Sequence, residues 1–226
     1  MPLNQFFKKL NMKRKSLSAT KKTLNFYLKK FKDPQVQKLY RIFSNNLASL
    51  NLSDQKIMVG VSGGADSLST LFFSHFYALK HKVKLYPVII DHKLREESTT
   101  EALKLKYKLK KNFNINCKIL SKKITKIDKN IQSYARDLRY DLFFKECKKH
   151  KINYLLLGHH KDDLFENFFI RFLRGSGLKG LISFDKNVSN HNNIKVIRPF
   201  LSTSKKDLII INKKTFGFFI DDPTNN

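Results

Sequence analysis

Tryptophan is absent from this chain of 226 residues, cysteine occurs only twice, and 18 acids face 45 lysines and arginines. Cys117 and Cys147 have no CxxC partner and no Cys/His ligand spacing. That argues against a zinc or iron–sulfur site and against a disulfide framework. Two buried thiols in a reducing compartment are the expectation, with the cytoplasm as the default location. No apolar run is long enough to cross a bilayer, so no membrane partner is expected. The N-terminal stretch lacks the apolar segment of a secretory signal.

Acids are missing altogether before Asp33, which leaves residues 1–32 basic with scattered apolar side chains. Such a stretch reads as a solvated extension. An arm that touches RNA and a targeting segment for an organelle of bacterial ancestry are the other readings. Hydrophobic residues make up 41% of the chain, enough for a packed core, and the length suits one α/β domain. The expected division is a basic arm and helix over residues 1–50 and the α/β domain over residues 51–226. A net charge of +27 attracts polyanions and suits a nucleic-acid partner. AT-biased coding would also over-use Lys, Asn, Ile and Phe, so charge alone does not select the partner.

The most informative stretch is Ser62-Gly63-Gly64-Ala65-Asp66-Ser67. Before it stands Lys56–Val61, a short apolar run that reads as a buried strand, and after it an apolar helical pattern opens at Leu68. A strand feeding a Gly-rich turn at a helix N-terminus is a phosphate cradle, because free N–H groups of the first turn point at the anion. The loop has no Gly-Lys-Ser/Thr and is not GxGxxG, so it is neither a Walker A loop nor a dinucleotide fingerprint. Ser62 and Ser67 add hydroxyl donors.

Further strands are expected at Val83–Ile90, Asn116–Leu120, Tyr154–Leu157 and Lys195–Ile197. Helices are expected at Pro34–Leu50, Leu68–Lys80, Thr99–Lys111, Ile131–His150, Asp162–Arg174 and Ser204–Phe216, with residues 185–193 as a polar loop. The alternation predicts a Rossmann-like parallel sheet with helices on both faces. Ligands of such sheets bind at the carboxyl ends of strands, and the polar clusters fall there: Ser62, then Asp91-His92, then His159 to Asp163.

Each cluster carries a chemical reading beside a structural one. Asp91 can accept from a ribose or base and Arg95 can contact phosphate, or Asp91 simply caps the turn before Ser98. Arg136 and Arg139 lie three apart on a helix and suit phosphate oxygens, or pair with Asp137 and Asp141. Asp163 and Glu166 share a helical face, where one carboxylate can hold Mg²⁺ against triphosphate and the other can receive a cationic substrate. N-capping by Asp162 or Asp163 accounts for one of these acids only. Arg174 and Lys179 flank a Gly-rich loop that would favour phosphate, or that only ends a helix.

In order, SGGADS, DHKLR, ARDLRY, GHHKDDLFEN, RGSGLKGL, Arg198-Pro199-Phe200-Leu201 and Asp222-Pro223-Thr224-Asn225 resemble the tRNA(Ile)-lysidine synthase family of PP-loop ATP pyrophosphatases. The resemblance spans roughly residues 55–226. It implies ATP-dependent joining of free lysine to C2 of the wobble cytidine in the CAU anticodon of tRNA(Ile). An adenylated tRNA is the intermediate, and the tRNA changes from Met to Ile identity. It implies ATP at Ser62, Gly63, Gly64, Ala65, Asp66, Ser67, Asp91 and His92, Mg²⁺ at Asp66 and Asp163, and lysine at Glu166. Catalytic roles fall to Asp66, Asp163, Arg136 and Arg139, and tRNA or phosphate contacts to Arg95, Arg174 and Lys179. A homodimer is compatible with it. Asn167 stands where the family commonly has threonine, and the chain stops before the family's RNxxR arginines, which gives the expectation of a C-terminal truncation. The competing expectations are another PP-loop tRNA-modifying enzyme such as a thiolase, and a basic RNA-binding protein with a vestigial ATP site.

Overall fold

Short β-branched runs separated by amphipathic runs leave one economical arrangement, and the computed structural model adopts it as a six-stranded sheet. The structure describes residues 18–91, 93, 97–122, 131–163, 187–191 and 193–220. In chain order the elements are α1 (Ser18–Lys30), α2 (Pro34–Ala48), β1 (Lys56–Val61), α3 (Ala65–His81), β2 (Lys84–Asp91) and α4 (Glu97–Phe113). There follow β3 (Lys118–Ser121), α5 (Ile131–His150), β4 (Tyr154–Leu156), β5 (Val188–His191), β6 (Ile194–Ile197) and α6 (Lys205–Lys214).

The spatial order is β3-β2-β1-β4-β6-β5, parallel throughout except for β5 against β6. β1 is central, and five of its six residues are buried, as a strand covered on both faces must be. From β1 the chain builds outward through β2 and β3, then returns to place β4 on β1's other side. That reversal opens a crevice beyond the carboxyl ends of β1 and β4, the usual ligand position in open α/β sheets.

Alternation along the strands divides the core. Ile57, Val59 and Val61 face a large cluster with residues of α1, α2, α3, α4 and α6, while Met58 faces a second cluster with Phe143 and Cys147 of α5. Two thiols therefore lie buried on opposite faces of the sheet, as expected of structural cysteines, and burial pushes each up to about 12.

Two regions differ from the sequence reading. The segment Ser18–Lys30 is a docked helix rather than a solvated extension, with Tyr27 and Phe31 buried against Phe72 and Phe76. Its lysines conceal an aromatic stripe, and Tyr27 Oη lies 2.7 Å from His75 Nδ1. Residues 188–191 are an edge strand rather than loop, paired antiparallel with β6 through a turn in which Asn193 is left-handed. A half-exposed edge strand of Val, Ser, Asn and His carries no apolar alternation to announce it. The other strands fall within two residues of expectation; of the helix expected at Asp162–Arg174, residues 164–174 lie outside the described residues.

Candidate active site

β1 delivers the chain to Ser62, and α3 begins at Ala65 with Gly64 as an N-cap that offers no side-chain cap. The orphan amides of the first turn are thus left for an anion. Gly63 sits at φ +96°, a conformation that side chains with a Cβ rarely take. Ser67 organises this loop rather than projecting from it. Its buried Oγ accepts from the Ser62 and Gly63 amides, each at 3.1 Å, and donates to the Gly64 carbonyl at 3.0 Å.

β4 brings the second half of the site to the same place. Gly158 crosses directly above the start of α3, where a Cβ would stand 2.6 Å from the Ser67 nitrogen and 2.7 Å from the Asp66 carbonyl carbon and oxygen. Only glycine lets the two backbones meet this closely. The approach sets His160 beside Asp66, with Nε2 at 3.3 Å from Asp66 Oδ2 and 3.7 Å from Asp163 Oδ1. Asp163 Oδ2 also accepts from the His160 amide at 2.9 Å, which closes the helical turn beginning at Lys161. Burial alone would lower the His160 pKa, but the bond to Asp66 and the charges of Asp163 and Asp162 outweigh it and leave the imidazole above its ordinary value.

Two carboxylates from different strand ends therefore converge on one imidazole. Among the described residues, nothing hydrogen-bonds to the buried Asp66 Oδ1, a costly state for a carboxylate oxygen. Such an oxygen fits a cation ligand, and a set of one or two carboxylates suits magnesium, which takes its remaining oxygens from phosphate and water. No group of three or more His, Cys, Asp or Glu side chains among the described residues forms an all-protein metal cage.

His159 has the opposite electrostatics. Burial first, then the charges of Arg198, Arg136 and Arg139, hold its pKa down to about 3. Arg198, itself buried, donates from Nε to His159 Nδ1 at 3.1 Å and from Nη1 to Ser189 Oγ at 3.1 Å. With Nδ1 accepting, the ring hydrogen belongs on Nε2. The arginines expected to serve phosphate thus stand close enough to His159 to keep it neutral, one residue from a histidine held by acids.

Asp91 is placed otherwise. Its buried carboxylate accepts from Ser98 Oγ at 2.9 Å, Thr99 Oγ1 at 2.7 Å and the Lys93 amide at 3.0 Å. Burial raises its pKa, but these bonds outweigh burial and leave it below the ordinary value. Those bonds are what the turn-capping reading describes. Asp162 likewise accepts from the Lys205 amide at 2.9 Å and so fastens the start of α6. His92, Arg95, Glu166, Arg174 and Lys179, and the Asp222–Asn225 motif, lie outside the described residues. Sequence reasoning assigned no role to Arg198, although it directly follows β6 at the same carboxyl edge, the signal used for the other clusters.

The PP-loop domain family matches residues 32–226. The chain belongs to that family. Curated relatives include the tRNA(Ile)-lysidine synthase of Orientia tsutsugamushi, 40% identical over 171 residues covering 76% of this chain and 38% of the relative. The enzyme of the same name from Rickettsia prowazekii is 36% identical, covering 83% of this chain and 43% of its own. The chain spans about two-fifths of the length of these relatives. Among solved structures, a U34-tRNA thiolase from Methanococcus maripaludis, with its 4Fe–4S cluster, matches with a TM-score of 0.73 at 18% identity. It covers 84% of this chain and 66% of that one, a likeness of fold alone. A PP-loop domain implies ATP binding.

Proposed function

We propose that this chain performs the ATP-dependent ligation of lysine to C2 of the wobble cytidine in the CAU anticodon of tRNA(Ile), through an adenylated tRNA. The observation that carries the reading is the meeting of Asp66 and Asp163 around His160 at the β1/β4 crevice, with one Asp66 oxygen buried and unpartnered among the described residues. The curated relatives named tRNA(Ile)-lysidine synthase supply the substrate class.

In this reading the orphan amides of the first turn of α3 hold the ATP phosphates, while the Ser62 hydroxyl, which donates to Ser67 Oγ at 3.0 Å, helps set the loop, and Asp66 and Asp163 would hold magnesium. When bound, that ion would neutralise charge on the phosphate oxygens. His160 restrains Asp66 through Oδ2, which leaves Oδ1 to face the cation site. Arg136 and Arg139 draw phosphate oxygens of ATP or tRNA toward the same edge. The cytidine O2 attacks the α-phosphorus, the bond to pyrophosphate breaks, and pyrophosphate departs with the electron pair. The lysine ε-amine then bonds to C2, and the C2–O bond breaks to release AMP while the amine sheds its proton to solvent. Positioning and electrostatic stabilisation suffice, and no enzyme nucleophile is needed. Glu166, three residues beyond Asp163, is assigned to the lysine ammonium.

Thiolation is the weaker reading, because both cysteines are buried on opposite faces of the sheet and held as thiols. The test follows labelled ATP and labelled lysine into the tRNA in parallel, with protein supplying the whole length of the relatives. Glu166→Gln should retain adenylation while raising the lysine requirement at least tenfold. Loss of both half-reactions together would remove Glu166 from the lysine pocket. A mass gain of sulfur rather than lysine on the tRNA would replace the whole reading.

A further inference from the structure

The chain after α6 runs back to the phosphate loop. Phe216 is buried against Phe72 and Phe113, at ring separations of 5.6 and 4.4 Å. Phe218 lies under Lys108 of α4, whose Nζ stands 3.7 Å from the ring centroid. Ile220 then reaches Gly63, and its amide donates to the Gly63 carbonyl at 2.9 Å. The Ile220 side chain fills the space beside the Gly63 Cα, where an added Cβ would meet Ile220 Cδ1 at 2.9 Å and Leu105 Cδ2 at 3.2 Å.

Gly63 is the residue whose left-handed backbone turns the loop toward α3. Its amide is already held by Ser67 Oγ at 3.1 Å, so Ile220 supplies the second restraint, on its carbonyl. Fixing both ends of this residue sets the peptide plane that precedes Gly64. Glycine is the residue with most conformational freedom to lose, so an unrestrained Gly63 would have to be ordered at the expense of anion binding.

We propose that Ile220 is a positioning residue for the nucleotide: the segment Phe216–Ile220 is a strap that pre-orders Gly63, so that nucleotide binding and the docking of this strap are coupled. The inference rests on the reading of Ser62–Ser67 as the ATP loop. By reciprocity, nucleotide must tighten the strap as much as the strap tightens nucleotide. A strap that served only the fold would stabilise free and bound protein equally and leave affinity unchanged.

Two measurements on the same protein test it. ATP·Mg²⁺ affinity by calorimetry should fall about tenfold in Ile220→Ala, which removes the side chain that seats the Ile220 amide at Gly63, and recover in part in Ile220→Val, which keeps Cγ1 but not Cδ1. In the unaltered protein, hydrogen exchange across residues 216–220 should slow at least threefold on adding ATP·Mg²⁺, with α6 unchanged. The exchange arm needs no variant and so survives a variant that fails to fold. Unaltered affinity in a folded Ile220→Ala, or strap exchange indifferent to ATP, would overturn the coupling. A wild-type protein that binds no ATP would instead overturn the assignment of the loop itself.

Discussion

Two polar clusters of similar ingredients stand at opposite ends of the sheet. At the amino edge, Glu146 Oε1 accepts from Lys118 at 2.6 Å and from Tyr86 at 2.7 Å, with His150 Nε2 3.0 Å away. Burial raises the Glu146 pKa, but the bonds from Lys118 and Tyr86 outweigh it and leave the group below its ordinary value. At the carboxyl edge, Asp66 and Asp163 share one imidazole, and Asp66 Oδ1 is left buried without a partner among the described residues. The first cluster closes on itself and ties α5 to β2 and β3. Composition does not distinguish them; hydrogen-bond satisfaction does, and the unsatisfied one lies at the crevice where β1 and β4 diverge.

Acid should separate the two most strongly. His159, beside the carboxyl-edge cluster, is neutral when folded, its pKa held to about 3 against 6.5 unperturbed. Its folded value is depressed, so the stability it contributes is present above about pH 6.5 and is lost as pH falls toward 3. The loss should reach about 3 kcal/mol by pH 4, read by urea denaturation across that range. Glu146 withdraws its share only as pH falls below its ordinary carboxylate range, so the amino edge should outlast the carboxyl edge in hydrogen exchange. Simultaneous loss of both would break the contrast.

Gly158→Val should cost about 3 kcal/mol, since its Cβ would meet backbone rather than a flexible side chain, and should displace the loop enough to remove ATP binding. Glu146→Gln should cost about 2 kcal/mol by removing a charged acceptor, yet leave ATP affinity unchanged. Calorimetry on each variant separates the two, and weakened ATP binding in Glu146→Gln would make the closed cluster functional. Asp141→Ala, which removes an exposed helical pair with Lys145, should change stability by only a few tenths of a kcal/mol.

Much of this architecture was legible in the sequence because it rests on local chemistry. The run Lys56–Val61, the glycines after it and the acids after Leu157 announce themselves by composition and by their place at strand ends. The docking of α1 was hidden because its aromatic residues count only when α3 supplies Phe72 and Phe76. β5 was hidden because an exposed edge strand needs no apolar face. Asp91 could be read as a nucleotide contact or a cap, and Ser98 and Thr99 together with the burial of the carboxylate give the cap its bonds. Contacts such as Arg198 to His159 and Ile220 to Gly63 join residues far apart in sequence, where no spacing rule applies.

The open cluster at the carboxyl edge is proposed to hold ATP and magnesium. That is tested most directly by titrating ATP into the wild-type protein and into Asp66→Asn, each with and without Mg²⁺, by calorimetry. Binding should be Mg²⁺-dependent in the wild type and weaker by at least 100-fold, about 3 kcal/mol, in Asp66→Asn. Equal ATP affinity in the two proteins, or binding indifferent to Mg²⁺ in both, would contradict the proposal.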